Sequence, residues 1–346
     1  MTMKRLAWLA GLLGLAVGIV LVVHQGWPAI YAAIDHAGWA LLWLLPFHVL
    51  PLLLDVFGWR VLLSPRDPER RATAPVLLWI AAIREAVNRL LPVASIGGEV
   101  VGIRLVMWRG IGGAAAAASV VMEVVLTVIA QYLFIALGFV LLIVQTVHGD
   151  VLVPALVSLA LGVPVPIALF VLLRRGRVFS RLELFAGKLL GGRSRRFAER
   201  IGGLRLDREI RTLYARPVRL LGACVWQLLG LVTGSFEVWL ILRLLGHPVG
   251  AADAIVVEAV IQAVRHVFFV VPAGLGVQEG GLILLGTVLG LPPDVSIALS
   301  LIRRAREIAF GVPALIVWQW IEAHRLRTLW QRGARDSLPK TDDVRL

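Results

Sequence analysis

Two short segments of this sequence place a carboxylate at the same distance from a helix breaker. Pro92 is followed seven residues later by Glu99, and Pro272 seven residues later by Glu279, with Gly97 and Gly98 in the first interval and Gly274 and Gly276 in the second. Proline removes a backbone N–H and glycine permits tight turns, so both end helices and leave backbone N–H and C=O groups open to a polar solute. Ionisable and polar residues gather around each break: Arg84, Glu85, Asn88, Arg89, Glu99 and Arg104 at the first, and Glu258, Arg265, His266 and Glu279 at the second. Glu123 lies inside one long apolar run, and Arg303, Arg304, Arg306 and Glu307 lie inside another. Arginine suits the holding of a phosphate or other anionic group, and a glutamate in such company can carry a proton.

The elements that position these residues belong to a membrane. The chain is 59% hydrophobic and only 16% charged, far from the balance of a soluble domain. Several apolar runs approach or exceed the roughly 20 residues that cross a bilayer, beginning with Leu6 to Val23 and Trp39 to Leu63. Lys4 and Arg5 precede the first run as in a signal peptide, but no small-x-small site precedes the His24-Gln25-Gly26-Trp27 exit, so it reads as a retained helix. In a bilayer centre each ionisable side chain costs roughly 2.5–3.5 kcal/mol on insertion scales, which makes the charged set above either paired or functional.

The formal charge of +13 is concentrated between the apolar runs. Thirteen Arg and Lys stand against four acids from Arg174 to Arg216, and smaller groups occur at Arg66/Arg70/Arg71 and Arg325/Arg327/Arg332/Arg335. These are marks of cytoplasmic loops. No stacking aromatics or reading helix accompany them, which sets nucleic-acid binding aside. Cys224 is the only cysteine, so an intramolecular disulfide and a cysteine-based metal cluster are excluded.

Assigning the basic loops to the cytoplasm orders the chain. Leu6 to Val23 goes out and Trp39 to Leu63 returns; Ala114 to Val147, strongly tilted or bent near Gly138, goes out and Val151 to Leu173 returns; Val218 to Leu245 goes out and Val295 to Ile321 returns. Two segments remain that leave and re-enter on one side, 76–108 and 254–289. Val76 to Leu91 and Glu99 to Trp108 are too short for two full crossings at 1.5 Å per residue. The expectation is therefore an all-α polytopic protein of about six spanning helices plus two re-entrant helical hairpins, with full crossings by short helices as the competing arrangement. The hairpin tips are 180 residues apart in opposite orientation, the pattern of an inverted repeat, a fold that commonly holds its substrate at mid-membrane. The whole of 1–346 then forms one membrane domain: an N-terminal half (1–173), a basic cytoplasmic loop (174–217), a C-terminal half (218–322) and a cytoplasmic tail (323–346). Within the loop, Val178, Phe179, Leu182, Phe185, Leu189 and Leu190 fit either an amphipathic helix on the anionic leaflet or a solvated segment.

The candidate binding and translocation residues are Asn88, Arg89, Glu99, Arg104, Glu123, Arg265, Glu279 and Arg303, with Glu279 and Arg303 foremost. Arg84, Arg104 and Arg265 also admit a second reading, snorkelling to the head groups. A shift of 180 residues aligns Glu123 with Arg303, so the halves are expected to carry complementary charges at equivalent places. Asp55, Glu237 and Arg243 are read as structural partners near helix ends. Small-residue faces at Gly14 and Gly18, or Ala114 to Ala118, suit internal packing and dimerisation equally.

The segments Asn88-Arg89-Leu90-Leu91-Pro92 with Gly97-Gly98-Glu99 and Arg104, Pro272-Ala273-Gly274-Leu275-Gly276-Val277-Gln278-Glu279, and Arg303 resemble the lysylphosphatidylglycerol synthase transmembrane-region family, over most of the chain. Within that family the sequence is most similar to members associated with hopanoid biosynthesis. The resemblance implies a flippase-like protein of the bacterial inner membrane, both termini cytoplasmic, moving a polar, anionic or hopanoid-type lipid between leaflets. Ending at Leu346, the chain is expected to lack an aminoacyl-transferase domain. It shows no Gly-x-x-x-x-Gly-Lys-Ser/Thr phosphate loop, so no ATP and no other cofactor is implied, and no His-Glu-x-x-His or Gly-x-Ser-x-Gly motif, so an enzyme is the weaker reading. Two other functions stay open: a membrane-embedded lipid-modifying enzyme, and a scaffold that recruits cytoplasmic biosynthetic enzymes through the basic loop.

Overall fold

A computed structural model of the chain describes residues 35, 37–90, 97–145, 162–176, 178–181, 202–267 and 291–336. Among them the regular elements are all helical. A 3₁₀ segment, Gly38–Trp43, leads into α1 (Leu44–Leu63), α2 (Ala74–Leu90), α3 (Gly97–Met107), α4 (Gly113–Gln145), α5 (Pro164–Arg175), α6 (Gly203–Tyr214), α7 (Pro217–Leu244), α8 (Ala251–Val267) and α9 (Pro293–Asp336). The stretches Gly38–Arg66, Gly113–Val144 and Pro217–Leu244 are long and apolar enough to cross a membrane. Their bounds agree with the expected runs to within a few residues. The expected first span and the second hairpin tip lie outside the described residues.

α1 and α7 form the central pair. Small residues let them approach: a Cβ on Gly58 of α1 would sit 3.0 Å from the Ala223 carbonyl oxygen and 3.2 Å from Trp226 Cβ, while Gly230 and Gly234 of α7 face Pro51 and Asp55 of α1. In lipid, where apolar side chains gain little by leaving one apolar medium for another, such close backbone contact is a main source of association. Pro51 sits inside α1, a position tolerated where neighbouring helices surround the freed carbonyl.

The remaining helices lean on this pair and on each other reciprocally. α2 packs along α9, and α8 packs along α4. The contacts are made by glycines on the two long helices: a Cβ at Gly311 of α9 would lie 2.8 Å from Leu90 and 3.3 Å from Ala86 Cβ of α2, and one at Gly138 of α4 would collide with Ala259 of α8. α4 runs unbroken through Gly138, so the missing side chain there serves this contact where the sequence suggested a bend. Outward faces remain apolar, with Trp39, Val140, Ile316 and Trp320 exposed, as a lipid-facing surface requires.

On the basic side, Asp67 Oδ1 and Oδ2 accept from the backbone N–H groups of Arg71 and Ala72, each at 2.8 Å, and fix the turn before α2. α6 is strongly amphipathic, but Leu206, Ile210 and Leu213 are buried against the protein, and Arg205, Arg208 and Arg211 point outward. Asp207 accepts from the Phe179 and Ser180 N–H groups at 3.1 and 2.9 Å, tying the start of the basic segment to α6. Tyr214 donates to the Phe170 carbonyl at 3.0 Å, and burial pushes its phenol up to about 12. Of the amphipathic stretch expected from Val178 to Leu190, only 178–181 fall within the described residues.

Candidate functional site

Three groups of charge meet inside the bundle. The first is built on α2, whose apolar residues Leu77, Ile80, Ile83 and Val87 face the core and carry Arg84 inward with them. Arg84 Nη1 donates to Glu123 of α4 at 2.6 Å, and Nη2 donates to Glu99 of α3. Its guanidinium lies 4.6 Å from the Trp59 ring centroid, a cation–π contact favoured where water is absent. Asn88 serves both sides of the break: its Nδ2 donates to Glu99 at 3.2 Å, and its Oδ1 accepts from Gly98 N–H at 2.8 Å at the start of α3. A side chain at Gly98 would strike the Arg84 carbonyl and Asn88, so glycine is required for α3 to sit this close to α2.

The second group joins four helices. His48 of α1 bonds Glu85 of α2 through Nε2 at 2.9 Å and Glu237 of α7 through Nδ1 at 3.3 Å. Arg306 of α9 reaches Glu237 at 2.8 Å through Nε and lies 3.8 Å from Glu85 through Nη1. The same Nη1 is 2.8 and 3.0 Å from the two nitrogens of His48. One turn further along, Arg89 of α2 is 3.4 Å from Glu307 of α9. The third group is the two-pronged pair of Arg303 on α9 with Glu258 on α8, at 2.7 and 3.3 Å, braced by Gln262 donating to Glu258 at 2.9 Å.

Arg84 and Glu85 are consecutive on α2 and serve the first and second groups, and Arg303 and Arg306, three apart on one face of α9, serve the third and the second, so the groups succeed one another along α2 and α9 as a column of ion pairs from Glu99 to Glu258. Arg84, Glu123, Glu237, Glu258, Arg303 and Arg306 are each only 4–8% exposed. Withdrawing an ion from water costs several kcal/mol even after relaxation, and each of these is offset by a partner of opposite sign. Among the described residues no three His, Cys, Asp or Glu side chains are placed to hold a metal ion.

Glu99 and Glu123 thus converge on Arg84, a residue outside the candidate set, with Asn88 bonded to Glu99, and Arg89 and Arg303 join the same column. Glu123 and Arg303 do not touch. Glu123 of the long α4 pairs with Arg84 of a shorter helix or arm, α2, and Arg303 of the long α9 pairs with Glu258 of the arm α8, so the polarity of the two arm pairs is reversed. Arg104 stands apart, half exposed, pairing with Glu322 and stacking on Trp108 at 5.5 Å. Arg265 lies in α8 with its side chain outside the described ones, and Pro92, Pro272, Gly274, Gly276 and Glu279 also lie outside the described residues. Gly97 and Gly98 form the first turn of α3, so the helix opens on them.

Glu237, read from the sequence as a structural partner near a helix end and left out of the candidate set, is buried where α1, α7 and α9 meet and pairs with His48 and Arg306. Its signal was the cost of any carboxylate inside an apolar run. Arg243 does sit near the end of α7, over Trp239 at 5.2 Å. His48 carried no signal, being a lone polar residue in an apolar run whose partners are 37, 189 and 258 residues away.

Residues 8–314 match a protein-family model described as lysylphosphatidylglycerol synthase TM region. No curated protein and no solved structure matches the chain.

Proposed function

The chain belongs to the lysylphosphatidylglycerol synthase TM-region family, and from that premise we propose that it moves a lipid with a polar head group between the leaflets of a bacterial inner membrane. The carrying observation is the buried column of ion pairs, which provides polar partners through a depth where lipid supplies none. A head group entering beside Arg84 meets a guanidinium already shared between two carboxylates. Of these, Glu99 is the more open, its side chain 22% exposed against 10% for Glu123. A phosphate or other anionic head group takes the place of Glu99 on Arg84, while the tails remain in lipid. Exchange of one partner for another keeps the buried arginine neutralised at each step, avoiding the full cost of an isolated ion.

The re-entrant hairpins and the inverted repeat belong to this reading. It is supported by the reciprocal packing of α2 on α9 and α8 on α4, and by the reversed polarity of the two arm pairs. Anionic and hopanoid-type lipids are the proposed substrates, with both termini cytoplasmic.

The test is leaflet exchange in proteoliposomes holding labelled anionic, zwitterionic and hopanoid-type lipids. Wild type is expected to accelerate exchange of at least one, and Arg84→Gln and Glu258→Gln, checked for folding by gel filtration, to slow it at least tenfold, about 1.4 kcal/mol on the barrier. Exchange by folded variants at the wild-type rate overturns the role of the column. Chemical conversion of the lipid without exchange replaces transport by catalysis.

A further inference from the structure

At the start of α7 the positive charge of the basic side is left unspent. Arg66 is held by Glu209 at 2.8 Å, Arg71 by Glu69, and Arg211 donates to the Asp207 carbonyl oxygen at 3.3 Å. Arg216 and Arg219 have no ion pair among the described residues. Arg216 is exposed just before α7 opens at Pro217. Arg219 makes one side-chain bond, from Nη1 to the Ser64 hydroxyl beyond the end of α1, at 3.2 Å. Ser64 in turn donates to the Val61 carbonyl at 3.1 Å, which fixes its oxygen as the acceptor. The Nε and Nη2 edge of Arg219, a two-pronged donor, has no partner among the described residues. The loop stretch 182–201 carries five Lys and Arg against two Glu, so counting it enlarges the surplus.

An apolar face runs into the membrane from these arginines. Val218, Gly222, Val225 and Leu229 recur at intervals of four, three and four residues and so share one face of α7. Val218, Val225 and Leu229 are 82%, 48% and 44% exposed, and a Cβ at Gly222 would meet nothing within 4 Å. Gly222 thus leaves a notch, at a level between two contacts that bridge α1 and α7: Arg219 with Ser64, and the rings of Trp226 and Phe57, 5.3 Å apart. From Val218 to Leu229 the helix rises about 16 Å, close to half of a hydrocarbon core about 30 Å thick, which is the reach of a tail in one leaflet. The buried column lies elsewhere. Glu237 stands eighteen residues beyond Arg219 on α7, about 27 Å further along, and Trp59, which stacks on Arg84, is fully buried whereas Ser64 is exposed.

We propose that the seam between α1 and α7 binds one anionic phospholipid of the leaflet on the basic side, with its phosphate on Arg216 and Arg219 and one tail along Val218, Val225 and Leu229 through the notch at Gly222. A phosphodiester accepts from guanidinium edges in a two-pronged pattern, and basic pockets between membrane helices take anionic head groups in this way. Glu209 stays with Arg66 and leaves the other two arginines to the lipid. A zwitterionic lipid brings its own cation into the surplus, so a head group of net negative charge is preferred. The bound lipid is a resident and not the cargo: the proposal rests on the membrane placement of α1 and α7, and stands whether or not the chain moves lipid.

Native mass spectrometry of the full chain in detergent, supplied with equal amounts of long-chain phosphatidylglycerol and phosphatidylcholine, tests this. Wild type is expected to retain one phosphatidylglycerol, with a preference of roughly tenfold or more. Arg216→Gln with Arg219→Gln, checked by gel filtration, should bring the preference to near unity. Arg70→Gln with Arg211→Gln removes two charges from the turn before α2 and from the side of α6 that faces Gly176, and should keep it. Gly222→Leu fills the notch without changing charge and should weaken retention of phosphatidylglycerol. Equal retention of the two lipids by wild type overturns the proposal, as does equal loss in the two double variants, which would reduce the effect to general surface charge. Unchanged retention in Gly222→Leu, or displacement of the lipid by soluble glycerol phosphate, removes the tail from the site and overturns it as well.

Discussion

At the scale of single residues, the protein keeps ions out of water by giving each a partner, and the pairs differ in how replaceable they are. Arg303 and Glu258 are both less than one-tenth exposed and joined by two hydrogen bonds. Removing one partner strands the other, which for a buried pair costs about 3–5 kcal/mol, whereas exchanging the two preserves the neutralisation. Arg303→Ala should therefore lower the thermal unfolding midpoint in detergent clearly, and the double exchange Arg303→Glu with Glu258→Arg should recover most of the loss. Recovery no better than the single variant would mean that the pair contributes shape and not charge. Half of this chemistry was legible in the sequence. Asn88, Glu99, Glu123 and Arg303 stood out because a polar or charged side chain in an apolar run demands a reason, and the same argument applied to Glu237 would have reached further. His48 was beyond it, because a histidine declares its partners only once α1, α2, α7 and α9 are brought together.

At the scale of elements, the bounds of the three long apolar helices followed closely from run length, since a bilayer demands continuous helices and permits breaks only where protein covers them, whereas α6 and the extension of α9 to Asp336 did not. What the runs did not reveal was which helix lies on which. That choice is made by glycines whose value depends on the opposing surface. Gly138 faces Ala259 with no room for a methyl group, whereas Gly222 of α7 has nothing within 4 Å. Gly138→Ala is thus expected to lower the unfolding midpoint by overpacking, a cost of about 1–3 kcal/mol. Gly222→Ala should leave the midpoint unchanged or raise it, since alanine favours a helix interior over glycine by up to about 1 kcal/mol. Equal effects of the two changes would show that α4 and α8 are not in tight register.

At the scale of the whole molecule, charge fixes orientation and reciprocal packing fixes assembly. The outward arginines of α6 and the Arg66–Arg71 turn should face the cytoplasm, and the uncharged link after α7 should face the other side. Cys224 is the sole cysteine, so a Cys224→Ala background permits single reporters. With a membrane-impermeant maleimide on intact spheroplasts, His247→Cys should label at once and Arg208→Cys only after permeabilisation; the reverse order would invert the topology. The reciprocal packing also bears on how the protein is born. Gly138 leaves the ribosome 121 residues before Ala259, its partner on α8. At the usual 5–20 residues per second, α4 waits roughly 6–24 s in the membrane with that face bare. During this interval lipid tails cover the small-residue face of α4, and α8 must displace them when it arrives, so the tight fit of Gly138 on Ala259 is made by exchanging lipid for helix.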